Sequence, residues 1–149
     1  MANYGDLQNK RLIDLNISGG SSSQSTKKLP VSSRKKRSLK TKLDVKLIFF
    51  RQLSVILQSG VPLSQGLQLL SENITDKNFG ACIEDISSQL SSGKELSNTL
   101  REYPKVFDPI IVGLIEAGEA GGILSEVLER IAALLDSQNK LKSQITGAL

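Results

Sequence analysis

Hydrophobic residues recur at intervals of three and four positions along most of the chain from Leu43 onward. This spacing places apolar side chains on one face of an α-helix, where packed helices need them. No part of this region alternates with a period of two for long, so we predict an all-α fold. The runs that carry the pattern are Leu43, Leu47, Phe50, Leu53 and Leu57; Leu63, Leu67, Leu70 and Ile74; Phe79, Ile83, Ile86 and Leu90; and Leu124, Leu128, Ile131 and Leu135.

Glycine and proline mark the ends of these runs. Gly60 and Gly93 follow the last periodic residues, where a left-handed backbone closes a helix most easily. Pro62 and Pro109 suit first helical positions, and Asp108 is placed to cap the helix that Pro109 begins. We therefore predict a six-helix bundle of antiparallel helical hairpins, with helices over residues 43–58, 63–74, 77–91, 95–102, 109–118 and 122–149.

A short pattern, G-x-x-L-S-x-x-L, occurs three times and begins at Gly60, Gly93 and Gly121. We expect each glycine to let the chain turn and the two leucines to lie on one face of the next helix. The serine falls in the first helical turn, where its hydroxyl can satisfy unpaired backbone donors. The copies indicate rough internal symmetry among helical hairpins. Their unequal spacing argues against a solenoid.

The first 42 residues differ from the rest in composition and charge. Residues 18–26 have almost nothing to bury, and Arg34-Lys35-Lys36-Arg37 adds repulsion, so we predict a disordered basic tail over residues 1–42. Residues 1–46 carry 11 Lys and Arg against 3 Asp, which is 11 − 3 = +8. Residues 47–149 carry 8 basic and 12 acidic residues, which is 8 − 12 = −4. The predicted helical domain, residues 43–149, is therefore largely acidic.

The amino-acid composition limits the catalytic mechanisms that this chain could use. The chain has no histidine and one cysteine, which excludes histidine-based acid–base catalysis and an intramolecular disulfide. We expect Cys82, beside an apolar stripe, to be a core residue rather than a nucleophile, because no histidine can activate it. Glu84 and Asp85 are adjacent and point apart on a helix, unlike a catalytic carboxylate pair. We therefore predict a protein that is not an enzyme and has no cofactor.

Four stretches, in order between Leu43 and Leu149, resemble the domain shared by GspF of type II secretion and PilC of type IV pilus assembly. They are Phe50-Arg51-Gln52-Leu53 leading to Gly60-Val61-Pro62-Leu63; Gly93-Lys94-Glu95-Leu96-Ser97; Tyr103-Pro104-Lys105-Val106-Phe107; and Ala117-Gly118-Glu119 with Gly122 and Leu124. The family-motif residues that the resemblance identifies are Gly60, Pro62, Leu63, Gly93, Pro104, Phe107, Gly118, Glu119, Gly122 and Leu124.

The resemblance implies a six-helix domain on the cytoplasmic face of the bacterial inner membrane, in an integral membrane protein. It also implies the partners of a platform: an assembly or retraction ATPase, inner-membrane pilus or secretion components, pilin or pseudopilin, and a second copy of itself. The chain contains no run of about 18 apolar residues, which a spanning helix needs. We therefore expect the sequence to stop just before the family's first membrane span.

Two acidic features near the third glycine pattern invite functional interpretations. The run from Gly118 to Gly122 resembles a phosphate-binding loop only superficially, because the required lysine and strand are missing. We interpret it as a helix–helix joint, with Glu119 near the start of the last helix. Glu126 and Glu129 lie three positions apart and are weak candidates for a divalent-cation site, since calcium needs six to eight oxygen ligands. A solvated, salt-bridged face is the alternative, with Arg130 available to Glu126.

The basic run Arg34, Lys35, Lys36 and Arg37 has several interpretations. It can contact anionic lipid or an acidic partner, or it can be a solubilising linker. It can also contact nucleic acid, so a helical nucleic-acid-binding protein with a basic arm is the alternative function. A DNA-binding fold carries basic residues on its helices, whereas these helices are net acidic. We therefore expect no nucleic-acid partner.

Overall fold

In the computed structural model, the described part of the chain covers residues 31–147, and it contains seven α-helices and no strand. The prediction of an all-α fold is confirmed. The helices are α1 (Ser33–Ser38), α2 (Leu43–Gln58), α3 (Leu63–Asn73), α4 (Lys77–Ser91), α5 (Leu96–Leu100), α6 (Pro109–Gly121) and α7 (Leu124–Gly147).

Three helices, α1, α4 and α6, begin at a side chain that caps the first turn. The Asp108 carboxylate accepts a hydrogen bond of 3.0 Å from the backbone N–H of Ile111, with Pro109 at the first helical position as predicted. Asp76 caps α4 in the same way through the N–H of Phe79. The helix predicted over residues 95–102 is shorter, since α5 ends at Leu100 and turns lead on to α6.

The helices from α2 to α7 contact one another in a closed ring. Each packs on the next along the chain, and α7 returns to pack on α2 in the most extensive contact. Arg51 of α2 lies 4.0 Å from Asp136 of α7, and Gln58 lies 3.4 Å from Glu129, so these two helices are antiparallel. Short connections make each consecutive pair antiparallel as well. The links α2–α3, α4–α5 and α6–α7 therefore share one end of the ring, which we call the joint end.

Four phenylalanine side chains pack together in the core that the ring of helices encloses. The Phe49 ring meets Phe50 and Phe79 edge to face, with centroids 5.2 and 5.3 Å apart, and Phe50 meets Phe107 at 6.0 Å. Edge-to-face pairs of this kind add to the stabilisation from burial. Because the four rings come from α2, α4 and the segment before α6, they join distant parts of the chain in one core.

The expected disordered tail needs correction at its C-terminal end. Within residues 1–42, Ser33–Ser38 forms α1, and the Ser32 hydroxyl caps it by accepting from the N–H of Lys35. Leu39 is only 7% exposed and belongs to the core. The packed part of the chain therefore starts before Leu43, because burial of Leu39 offsets the repulsion within the basic run. The rest of the predicted tail, residues 1–30, lies outside the described residues.

Gly118 lets α6 and α7 approach closely, and this generates a prediction. A Cβ at Gly118 would lie 2.9 Å from Cγ2 and 3.1 Å from Cβ of Val127, which is buried. We expect Gly118→Ala to lower the free energy of unfolding by about 1–2 kcal/mol, because the overlap outweighs the gain in helix propensity. Denaturant unfolding followed by circular dichroism measures this change.

Gly113 is the matched control on the same helix. A Cβ there meets no atom within 4 Å. Gly113→Ala should therefore raise the free energy of unfolding by about 0.5–1 kcal/mol. Equal effects of the two substitutions would contradict a close contact between α6 and α7 at Gly118.

Candidate functional site

The three glycine patterns lie in the three links of the joint end. Gly60 and Gly93 have φ angles of +90° and +100°, so each occupies the left-handed region that glycine favours. In the third copy the left-handed residue is Gly122, with φ +69°, while Gly121 is the last residue of α6. The expectation that Gly121 turns the chain is therefore wrong by one residue, and the third link is shorter than the other two.

The pattern serines act through their backbone carbonyls in two of the three copies. The Ser87 hydroxyl of α4 donates to the carbonyl of Ser64 at 3.1 Å, and the Ser54 hydroxyl of α2 donates to the carbonyl of Ser125 at 3.0 Å. Each bond joins the first turn of one helix to the middle of its antiparallel partner. The third serine, Ser97, has a buried hydroxyl with no hydrogen-bond partner among the described residues. The prediction of hydroxyl capping does not describe these contacts.

Glu119 connects two of the joints. Its carboxylate accepts hydrogen bonds from the backbone N–H of Leu96 at 2.5 Å and of Ser97 at 3.2 Å. These are donors at the start of α5 that no residue within that helix can satisfy. Glu119 thus caps α5 from the end of α6, across 23 residues of chain. The expectation of a joint over Gly118–Gly122 needs correction, because α6 continues to Gly121 and only Gly122 and Ile123 link it to α7. Glu119 therefore acts at the start of α5 and not at the start of the last helix.

The other family-motif residues lie beside these joints or in the core. Pro62 precedes α3 and is exposed, while Leu63 and Leu124 are the half-buried first residues of α3 and α7. Phe107 is buried in the aromatic core, and Pro104 is exposed in the turn before it. The motif residues are therefore brought together by the architecture of the links, and no open cleft gathers them.

The basic run divides into one half-buried lysine that anchors α1 and three exposed cations. Lys36 Nζ lies 3.0 Å from Asp85 Oδ2 and also pairs with Glu102, whereas Arg34, Lys35 and Arg37 are exposed. Burial lowers the pKa of Lys36, but its hydrogen bonds and charge interactions with the two carboxylates outweigh burial and raise it above 10.5. Lys36 therefore stays charged and holds α1 against α4 and the end of α5.

Sequence reasoning missed the partners of Lys36. Tyr103 is fully buried, and its hydroxyl donates to Asp85 Oδ2 at 2.7 Å, so this carboxylate serves both the tyrosine and the lysine. Burial raises the pKa of Tyr103, and its hydrogen bond to Asp85 raises it further. Lys36 and Glu102 are 66 residues apart, and no local pattern indicates such a pairing.

The residues considered for metal binding, Glu126 and Glu129, and for nucleophilic catalysis, Cys82, lie in different surroundings. Glu126 and Glu129 are both exposed, and the Glu129 carboxylate accepts a hydrogen bond from Gln58 at 3.4 Å. Among the described residues, no three His, Cys, Asp or Glu side chains are grouped as a metal site requires. Cys82 is buried in the core, as expected, and burial raises the pKa of its thiol. A thiol in this environment is a poor nucleophile.

One helix face is apolar and open to solvent. On α6, Ile110 is 67% exposed and Leu114 is 37% exposed, and Ala117 and Gly121 continue the same face toward the joint end. These residues follow one another at intervals of four, three and four, so they line one side of the helix. We call this surface the outer face of α6.

The capping contact of Glu119 generates the next prediction. We expect Glu119→Ala to lower the free energy of unfolding by about 2–3 kcal/mol, since a charged acceptor of two backbone donors is lost. Denaturant unfolding of the full chain measures this value. Glu116→Ala is the control, because the Glu116 side chain is 56% exposed and forms an ion pair with the exposed Arg101. Glu116→Ala should lower the free energy of unfolding by less than about 1 kcal/mol. Equal losses in the two variants would contradict the capping role of Glu119.

Comparison with known proteins identifies the family of this chain. The family described as "Type II secretion system (T2SS), protein F" matches residues 49–149. The type IV pilus assembly protein PilC of Myxococcus xanthus is 38% identical over 103 residues, which cover 69% of this chain and 25% of that protein. PilC of Pseudomonas aeruginosa is 34% identical over 102 residues, covering 68% of this chain and 27% of its own length.

A secretion protein is similar to the same degree. The type II secretion system protein F of Vibrio cholerae is 33% identical over 99 residues, covering 66% of this chain and 24% of that protein. The chain thus spans about a quarter of the length of these relatives. Within residues 31–147, no helix has the length and hydropathy needed to cross a bilayer. The matched region covers α3 to α7 and the C-terminal part of α2 from residue 49. The chain belongs to the type II secretion system protein F family, which includes the PilC proteins of type IV pilus assembly.

Proposed function

We propose that this chain is the cytoplasmic domain of an inner-membrane platform protein of type IV pilus assembly or type II secretion. The observation that carries the proposal is the match over residues 49–149 to relatives named for pilus assembly and for secretion. The role is that of a binding module without catalysis. The positions of the family-motif residues favour this role, because they hold helices together instead of lining a reaction cleft.

The proposed partners are an assembly or retraction ATPase on one side and inner-membrane pilus or secretion components on the other. A movement of the ATPase would pass through the domain to pilin or pseudopilin subunits. A ring of helices closed by α2 and α7 suits this task, because a close-packed core transmits displacement instead of absorbing it. Glu119 supports the same idea, since it ties α5 to α6 at the joint end.

We propose that the domain also binds a second copy of itself through the outer face of α6. This face carries Ile110, Leu114, Ala117 and Gly121, and its charged neighbour Glu116 is already paired with Arg101. Interfaces between identical subunits are more apolar than ordinary surface and lack charge at their centre. Small residues beside the two aliphatic side chains would allow two helices to approach closely.

The alternative, a nucleic-acid-binding protein with a basic arm, receives less support. The exposed cations Arg34, Lys35 and Arg37 would be available to phosphates. Residues 47–149, however, carry an excess of negative charge. A DNA-binding fold instead carries basic residues on its helices.

Self-association generates a prediction. We expect Ile110→Glu with Leu114→Glu to weaken dimerisation at least tenfold, because two charges would be buried at the interface. Sedimentation equilibrium of the purified chain measures the dissociation constant. Ile48→Glu with Val55→Glu is the matched control, since both side chains are more than half exposed on α2. A control variant that dissociates as readily would move the interface away from α6.

Binding of the ATPase tests the proposed function itself. The immobilised chain should retain the purified assembly ATPase encoded in the same genome, with a dissociation constant in the micromolar range typical of transient contacts. An unrelated helical domain of similar charge sets the background. Retention no stronger than on the unrelated domain would overturn the platform assignment.

A further inference from the structure

Lys36 binds in an acidic site that other parts of the chain form. Asp85 and Gln89 belong to α4, while Glu102 and Tyr103 lie between α5 and α6. Lys36 Nζ lies 3.0 Å from Asp85 Oδ2, pairs with Glu102, and lies 5.7 Å from the centroid of the Tyr103 ring. We call Asp85, Gln89, Glu102 and Tyr103 the acidic site. In this structure the side chain bound to it is a lysine of α1.

Hydrogen bonds outside α1 hold the acidic site together. The buried Tyr103 donates from its hydroxyl to Asp85 Oδ2 at 2.7 Å. Gln89 Nε2 donates to Asp85 Oδ2 at 2.9 Å and to Glu102 Oε2 at 3.4 Å, so one amide contacts both carboxylates. Lys94 Nζ donates to Gln89 Oε1 at 2.9 Å, which leaves the amide N–H groups for the carboxylates. Two carboxylates this close repel each other, and a cation between them relieves the repulsion. The site is therefore suited to a cationic side chain.

Two side chains attach α1 to the rest of the fold. Lys36 binds the acidic site, and Leu39, three residues later, is 7% exposed and belongs to the core. No residue of the six in α1 is fully buried, and Arg34, Lys35 and Arg37 are exposed. A helix this short has little stability of its own, so α1 depends on its two anchors. Segments with few buried contacts open at a lower free energy than the core does.

The chemistry of the acidic site selects one class of partner. Nucleic acid and anionic lipid would be repelled by Asp85 and Glu102. A divalent cation such as calcium needs more oxygen ligands than these two carboxylates supply. The bound side chains, Lys36 and Leu39, instead show a protein segment with a basic residue followed three positions later by an aliphatic one. A partner segment with the same two features would make the same contacts.

We propose that the acidic site is a docking site for a basic segment of a partner protein, and that α1 is an intramolecular competitor for it. The partner would place a lysine or arginine between Asp85 and Glu102 and an aliphatic side chain where Leu39 lies. Since α1 has to leave first, it lowers the affinity for the partner by the fraction of chains in which the site is open. The contacts of α1 carry this inference, which goes beyond the proposed platform function.

The experiment is fluorescence anisotropy of a labelled peptide with the sequence of residues 31–42, added to the 149-residue chain. Lys36→Ala in the chain removes the polar anchor of α1 and leaves every residue of the acidic site in place. We expect the peptide to bind this variant at least about tenfold more tightly than the unsubstituted chain, because loss of charged hydrogen bonds favours the open form. Equal dissociation constants for the two chains would overturn the proposal.

Two controls separate docking from general attraction between charges. The peptide with Leu39→Ser keeps every charge and should bind the Lys36→Ala chain about tenfold more weakly, because it loses its apolar anchor. Adding Glu102→Gln to that chain should weaken binding about fivefold or more. Adding Glu72→Gln removes an exposed carboxylate of α3 instead and should change binding less than about twofold. Unchanged binding of the altered peptide, or equal losses from the two glutamate variants, would argue against docking at this site.

Hydrogen exchange of the unsubstituted chain tests the release of α1 without any variant. The backbone N–H groups of Lys36 and Leu39 are hydrogen-bonded within the α1 segment. They should exchange at least about a hundredfold faster than those of Ile83 and Ile86, which lie in the core on α4. Equal protection of the two helices would refute α1 as a competitor that leaves. If the peptide does not bind while the ATPase is retained, the platform function stands and only the docking site is refuted.

Discussion

The antiparallel packing of α2 against α7 is the contact on which the rest of the structure depends. The two helices are joined by the hydrogen bond from the Ser54 hydroxyl to the carbonyl of Ser125, across 71 residues of sequence. Without this contact the other helices form an open row of hairpins, each with one apolar face exposed. Closure of the ring buries those faces and brings the aromatic core together. It also fixes which links share an end, and hence which charges lie side by side.

The family-motif residues are explained by this geometry. Gly118 allows α6 and α7 to approach each other, and Glu119, the next residue, reaches across to cap α5. A short helix with five residues has little stability of its own, so an external cap decides whether it forms. Glu119 thus has an architectural role, since its contacts hold α5 against α6.

The basic run shows how burial changes the meaning of a charge pattern. By composition, Arg34, Lys35, Lys36 and Arg37 are equivalent, and repulsion among them predicts disorder. In the structure, Lys36 leaves solvent for a site formed by Asp85, Glu102 and the ring of Tyr103, whose centroid lies 5.7 Å from Nζ. The three remaining cations are then held on an ordered helix. A segment predicted to be a flexible tail becomes part of a defined surface.

The sequence by itself determined the helical class, the approximate limits of six helices and the positions of the turns. These depend on local rules: the spacing of Leu63, Leu67 and Leu70, the fixed φ of Pro109 and the left-handed preference of glycine. Only the tertiary structure decided that Gly122 rather than Gly121 makes the third turn, that Glu119 caps α5, and that Lys36 anchors α1. The physical reason is that Glu119 and Lys36 act on residues far away in the sequence, which only the folded chain brings close to them. Hydrophobic periodicity records which side of a helix is buried, but it does not record which helix covers it.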